Sequence, residues 1–192
     1  FEKKIAKLLK TKYVVSLGSG TDALMLSLKA LGIKENDEVI TTPFTFYATI
    51  GAIVTAGARP VFVDVKDDYN IDVKKIESAI TKKTKAIVPV HWAGRICDMD
   101  SIQVLADKHG LFIVEDAAQA LGSRYKGQHA GTFGLASDIS FFPAKVLGCI
   151  GDAGAVLVND EALYHQIYQL HDHGRDTDGE VKRWGRNSRL DN

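Results

Sequence analysis

The chain has 192 residues, 45% hydrophobic and 25% charged, which is the composition of a folded globular domain and not of a disordered or fibrous chain. Lys plus Arg and Asp plus Glu each number 24, so a net charge of zero gives no electrostatic case for nucleic acid or an anionic membrane as partner. No apolar run is long enough to cross a bilayer, no signal-peptide pattern opens the chain, and neither the two cysteines (Cys97, Cys149) nor the scattered histidines match a metal-ligand spacing, so no metal is expected and the thiols read as those of a cytoplasmic protein.

Phe1, Ile5, Leu8 and Leu9 already follow helical spacing, so the chain is expected to begin inside a helix, with both ends cut from a longer polypeptide. Tyr13 to Leu17 reads as a short strand, Gly18-Ser19-Gly20 as a turn, and Thr21 onward as a helix with Leu24, Leu28 and Leu31 on one face. Strands are predicted at Glu38 to Thr41, Pro60 to Val65, Lys85 to Val90, Leu111 to Glu115, Ile139 to Phe142 and Ala155 to Val158. Helices are predicted around Ile50–Val54, Val73–Ile80, Ile102–Ala106 and Leu163–Leu170. Strands such as Ala86-Ile87-Val88 lack polar alternation, so both sheet faces should be covered. The fold class is therefore α/β, a mostly parallel sheet between helices, formed by residues 1–171. Residues 172–192 are polar and read as a loop leaving that domain.

In such sheets ligands bind beyond the carboxyl ends of the strands. Four groups of residues fall there. Gly18 to Ala23 links a strand to a helix; its glycines and the helix N-terminus suit a phosphate, with Thr21 adding a hydroxyl and Asp22 able to cap the helix. The same turn resembles a dinucleotide fingerprint, but the next strand ends Ile40-Thr41-Thr42-Pro43 with no acid to hold a ribose, so a monophosphate suits it better. Glu115 and Asp116 end a buried strand, where an acid needs a cation; a protonated pyridine nitrogen would serve. Asp116 is the first choice and Glu115 the alternative, because neighbours on a strand face opposite ways, and Gln119 could reach a phenolic oxygen. Phe44, Phe46 and Tyr47 are candidates to lie against a planar cofactor. Lys145 follows Phe141-Phe142-Pro143-Ala144 and precedes Val146-Leu147; a lysine in apolar surroundings becomes nucleophilic and can form a Schiff base with pyridoxal 5′-phosphate. The plain alternatives are a solvent-facing lysine, turn-forming acids and core aromatics.

Taken in order, SLGSGTDALMLSL, DEVITTPFTFYAT, GARPVFVDV, KAIVPVHWAG, IVEDAAQALGS, DISFFPAK, GDAGAV and WGRNSRLDN resemble the sugar aminotransferase family named after DegT and StrS, over nearly the whole chain. The resemblance implies a type I pyridoxal-phosphate fold, a large α/β domain followed by a small one that is absent here. It implies Lys145 as the Schiff-base lysine, Asp116 as the pyridinium partner, Gln119 near the phenolic oxygen and Phe46 stacked on the ring. Gly20, Thr21, Asp22 and Ser140 would surround the phosphate, and Asn187 would reach the cofactor of a partner subunit, making a homodimer with shared active sites. The implied reaction moves an amino group from an amino-acid donor, glutamate, to a keto group of a nucleotide-linked sugar, as in the making of cell-surface polysaccharides. Val146, Ala153 and His91-Trp92-Ala93-Gly94 depart from the usual family pattern; the first two bear on packing, the third on substrate choice. Two rivals are an NAD(P)-dependent oxidoreductase built on residues 18–23 and a non-catalytic, cofactor-binding regulator.

Overall fold

A computed structural model describes residues 1–191; the final residue, Asn192, lies outside the described part. Helix α1 (Glu2–Leu9) turns Ile5 and Leu9 inward, and the Glu2 carboxylate accepts the Ser16 N–H and hydroxyl at 2.7 and 2.9 Å, fixing the helix to strand β1 (Tyr13–Leu17). Then follow α2 (Gly20–Ala30), β2 (Glu38–Thr41), α3 (Tyr47–Ala56), β3 (Arg59–Phe62), α4 (Val73–Ala79) and β4 (Thr84–Ile87). The second half holds α5 (Met99–His109), β5 (Phe112–Asp116), a hairpin of β6 (Arg124–Tyr125) and β7 (Gln128–His129), β8 (Ala136–Ser140), β9 (Gly154–Val158) and α6 (Glu161–His171).

Seven strands form one sheet in the order β1-β9-β8-β5-β4-β2-β3. The run from β3 to β8 is parallel, and β9 alone runs against its neighbours β8 and β1. Strand alternation feeds two cores. From β9, Val156 and Val158 join Leu24, Leu28, Ile53 and Ile167 of α2, α3 and α6 on one face; Ala155 and Leu157 join Ile5 and Leu9 of α1 on the other. Ile76 and Ile102 of α4 and α5 complete the second face around Ile40 and Ile87. Helices thus cover both faces, as the apolar strands require. Helix ends obey local rules: Ser19, Asp72, Asp98 and Asp160 accept amide N–H groups as N-caps, and Gly57 and Gly110 close α3 and α5 at positive φ.

Differences from the sequence reading lie at boundaries. The strand expected at Ile139 to Phe142 runs instead over Ala136–Ser140, because Ser137 and Asp138 are buried in its middle and hide the pattern. The β6–β7 hairpin, turned at Lys126 (φ 51°) and Gly127 (φ 87°), was not foreseen; each strand is two residues long and has no periodicity to read. The polar tail doubles back on the domain. Asp172 bridges Asn187, Leu17 bridges Arg189, and the Gly18 N–H donates to the Ser188 carbonyl at 2.9 Å.

Candidate active site

A cavity of about 570 Å³ opens beyond the ends of β5 and β8, beside the start of α2. Ser19, Gly20 and Thr21 form one wall. The helix comes very close to the sheet here. A Cβ on Gly20 would stand 3.0 Å from the Asp138 Oδ2 and from the Ser140 Cβ, and one on Gly154 would stand 2.4 Å from the Gly20 nitrogen. The glycines therefore seat the N-terminus of α2, with its free N–H groups and positive dipole end, against the cavity. Ser140 lines the same corner. Asp22 does not line it: half-buried in the first turn, it lends its amide N–H to the Ser19 cap at 3.0 Å.

Asp116 ends β5 with its carboxylate in the cavity. Its Oδ2 accepts the Thr49 hydroxyl at 2.6 Å and its Oδ1 the Ala118 N–H at 3.3 Å. The Thr49 proton is committed to Asp116, so in the 2.7 Å contact between Thr45 and Thr49 it is Thr45 that donates. Main-chain bonds from the Asp116 N–H to the Pro89 carbonyl and from the His91 N–H to the Asp116 carbonyl, at 2.9 and 3.0 Å, hold the strand end still.

Glu115 faces the other way and does not reach the cavity, which removes it as the alternative. Its carboxylate, fully buried, accepts N–H groups from Gly131, Phe133 and Gly134 at 2.7–2.8 Å and meets His91 Nε2 at 2.8 Å. The Cys97 N–H points at His91 Nδ1 (3.3 Å), so the proton sits on Nε2 and a neutral imidazole donates to Glu115. Glu115 is thus a structural anchor for two loops.

Gln119 lines the cavity with its Oε1 occupied by the Ala93 N–H at 2.8 Å, so Nε2 is the end that can donate inward. Phe46 and Tyr47 both line the cavity, their ring centroids 4.3 Å apart. Phe44 turns aside to pack on Tyr69 and Trp92, at 5.1 and 4.5 Å, so it is not a stacking candidate. Lys145 lines the same cavity, on a turn closed by its own N–H to the Phe142 carbonyl at 2.8 Å. The apolar surroundings inferred from sequence are not there. Phe141 is buried, but Phe142, Val146 and Leu147 are 48%, 72% and 46% exposed, because the turn throws neighbours outward. Asn187 is exposed, accepts the Arg189 Nε–H at 3.2 Å and does not line this chain's cavity.

Sequence reasoning missed two residues. Thr49 looked like any residue of an apolar helix. Asp138 sat inside a strand, and its acid is buried to 1% exposure beside Asp116. Burial above all, and then the Asp116 charge, pushes the Asp138 carboxyl well above the usual carboxylate range. A buried acid two residues before Ser140, on the same strand face, was the available signal. Among the described residues, no group of His, Cys, Asp or Glu could hold a metal ion, and no helix is long and apolar enough to cross a membrane.

Comparison with known proteins bears on the family and the fold. The model of the DegT/DnrJ/EryC1/StrS aminotransferase family matches residues 1–192. The chain is 46% identical to the "Pleiotropic regulatory protein" of Geobacillus stearothermophilus, over 99% of this chain and 51% of that one. It is 44% identical to the UDP-2-acetamido-2-deoxy-3-oxo-D-glucuronate aminotransferase of Pseudomonas aeruginosa, over 99% of this chain and 53% of that one. Among solved structures, S. venezuelae DesV in complex with a ketimine intermediate superposes with a TM-score of 0.95 at 43% identity, covering 98% of this chain and 51% of DesV. The chain thus spans about half the length of the curated relatives it matches. A lysine, a buried carboxylate and a helix N-terminus meeting in one cavity of this fold, and a family model that covers every residue, lead to one conclusion: the chain belongs to the DegT/DnrJ/EryC1/StrS aminotransferase family.

Proposed function

We propose that the protein carrying this chain is a pyridoxal-phosphate-dependent aminotransferase that passes an amino group from an amino acid, glutamate, to a keto group on a nucleotide-linked sugar. The observation that carries the reading is the convergence of Lys145, Asp116 and the start of α2 on one cavity. The residues fit the cofactor: an amine for its aldehyde, a carboxylate for its ring nitrogen, and a glycine-tight helix N-terminus with Ser140 for its phosphate. When bound, the cofactor supplies an electron sink for the carbon that loses its proton.

The chain's own residues do the rest. Asp116, held by Thr49 and Ala118, keeps a proton on the ring nitrogen. Lys145 Nζ would hold the aldehyde and would be the base and acid that moves a proton at the substrate carbon. Gln119 Nε2 donates toward the phenolic oxygen, and Phe46 or Tyr47 limits tilting of the ring. A homodimer fits two features. Phe142, Val146, Leu147 and Ile150 form an exposed apolar run beside Lys145, and Asn187 is exposed and lies outside this chain's own cavity. The free cysteines, Cys97 and Cys149, suit a reducing cytoplasm. The name of the Geobacillus relative invites a regulatory reading, but a lysine and carboxylate together in one cavity favour catalysis. The nicotinamide reading has no support in the family match.

The test uses the full-length protein loaded with pyridoxal phosphate, glutamate, and a panel of keto-sugar nucleotides, with 2-oxoglutarate as the readout. Formation of 2-oxoglutarate from glutamate alone, in one equivalent, and in excess with one of the sugars is expected. Bound cofactor without the first equivalent would favour the regulator.

A further inference from the structure

Asp138 is a buried ionisable group on the cavity wall for which the proposed reaction has no use. In the parallel β5–β8 ladder it is the register partner of Asp116. Paired residues of neighbouring strands point to the same face, so two carboxyls enter one cavity side by side. Their support is unequal. Asp116 receives a hydroxyl at 2.6 Å and an amide N–H. Asp138 receives only the Ala117 N–H, on Oδ1 at 3.1 Å, and its Oδ2 lies against Gly20 and accepts nothing from the described residues. A buried carboxylate with one donor is poorly solvated.

One cation, the Lys145 amine, acts on Asp138, and burial outweighs it. On β9 the partner of Asp138 is Val156, and α2 presents Gly20 and Leu24. The titratable groups on the cavity wall are Asp116, Asp138 and Asp152, the Tyr47 phenol and one amine, Lys145. Asp138 Oδ2 also lies beneath the start of α2, where an anionic phosphate would bind; a second negative charge there would repel it.

We propose that Asp138 is kept as a neutral carboxylic acid at neutral pH and donates its proton to Asp116, so that the pair carries one negative charge. Asp138 is then a positioning residue that acts through Asp116. A donated hydrogen bond makes the Asp116 carboxylate less basic, so the proton on a ring nitrogen stays with the ring. The cofactor role rests on the pyridoxal-phosphate reading of the cavity; the protonation does not.

The experiment has two arms, both on the full-length protein. The first records the infrared spectrum of the cofactor-free protein at pH 7, parent against Asp138→Asn, with Asp138→Thr as a second variant if Asn folds poorly. A protonated-acid carbonyl band that shifts in D2O and disappears on substitution is expected. Absence of that band, or its survival in the variant, overturns the proposal. The second arm measures the dissociation constant for pyridoxal phosphate. Asp138→Asn stays neutral and can still donate, so a change below about threefold is expected, against a weakening of at least ~10-fold for Asp116→Asn, which removes a charge-assisted bond. Equal losses in the two variants would show that Asp138 carries charge and would overturn the proposal. Failure of the parent to bind the cofactor would sink the functional reading and with it the tuning role, while the infrared arm would still decide the protonation.

Discussion

The carboxylate wall of the cavity buries Asp116, Thr49 and Asp138 and ties each to a neighbour by hydrogen bonds, whereas the lysine wall hangs Lys145 on one turn among exposed Phe142, Val146, Leu147 and Ile150. The first wall is rigid because its polar groups are inside and must be partnered. The second leaves apolar area facing outward, which suits a surface that a second subunit covers. The carboxylate side of the candidate site is therefore preorganised within this chain, and the Lys145 side is the part most open to its surroundings.

Substitutions on the two walls should separate activity from stability. Lys145→Ala should lower the glutamate half-reaction of the full-length protein by roughly 10²–10⁴-fold or more while leaving the thermal midpoint close to the parent's, as stopped-flow and melting curves would show. An equal loss of stability would mean that the turn is structural. Glu115→Ala, on the face of β5 turned away from the cavity, should do the reverse. It strips four donors of their acceptor, at about 1–3 kcal/mol for each that stays buried and unsatisfied, and should lower stability in denaturant unfolding accordingly. A stable variant that instead fails to bind cofactor would return Glu115 to candidacy. Thr49→Val removes one hydroxyl from Asp116 and should weaken cofactor binding by about 1–3 kcal/mol, read by titration. Val146→Ser should change unfolding of the single chain by no more than about 0.5 kcal/mol, yet weaken self-association seen by sedimentation. A large stability change with no effect on association would contradict the contrast between the walls.

The same contrast governs what could be read from sequence. The α/β order was legible because buried strands and amphipathic helices alternate along the chain. Asp116 was legible as an acid at the end of the apolar run Phe112-Ile113-Val114. The choice between it and Glu115 was not, since it depends on which face of β5 meets the cavity. Lys145 was singled out for apolar surroundings that the structure does not show, because its turn throws Phe142, Val146 and Leu147 outward. Asp138 stayed hidden because an acid between Ser137 and Ile139 reads as an ordinary polar strand position. Only the register with β5 brings it beside Asp116. The return of residues 172–191 to β1 rests on main-chain bonds and scattered side-chain contacts, such as Arg189 to Asp172 at 2.8 Å, that follow no period.

The most direct test is peptide mapping of the full-length protein after incubation with pyridoxal phosphate and reduction with borohydride. A single modified peptide containing Lys145, absent when glutamate is added before the reductant, is the result predicted here. Modification spread over surface lysines, or confined to a peptide without Lys145, would contradict it.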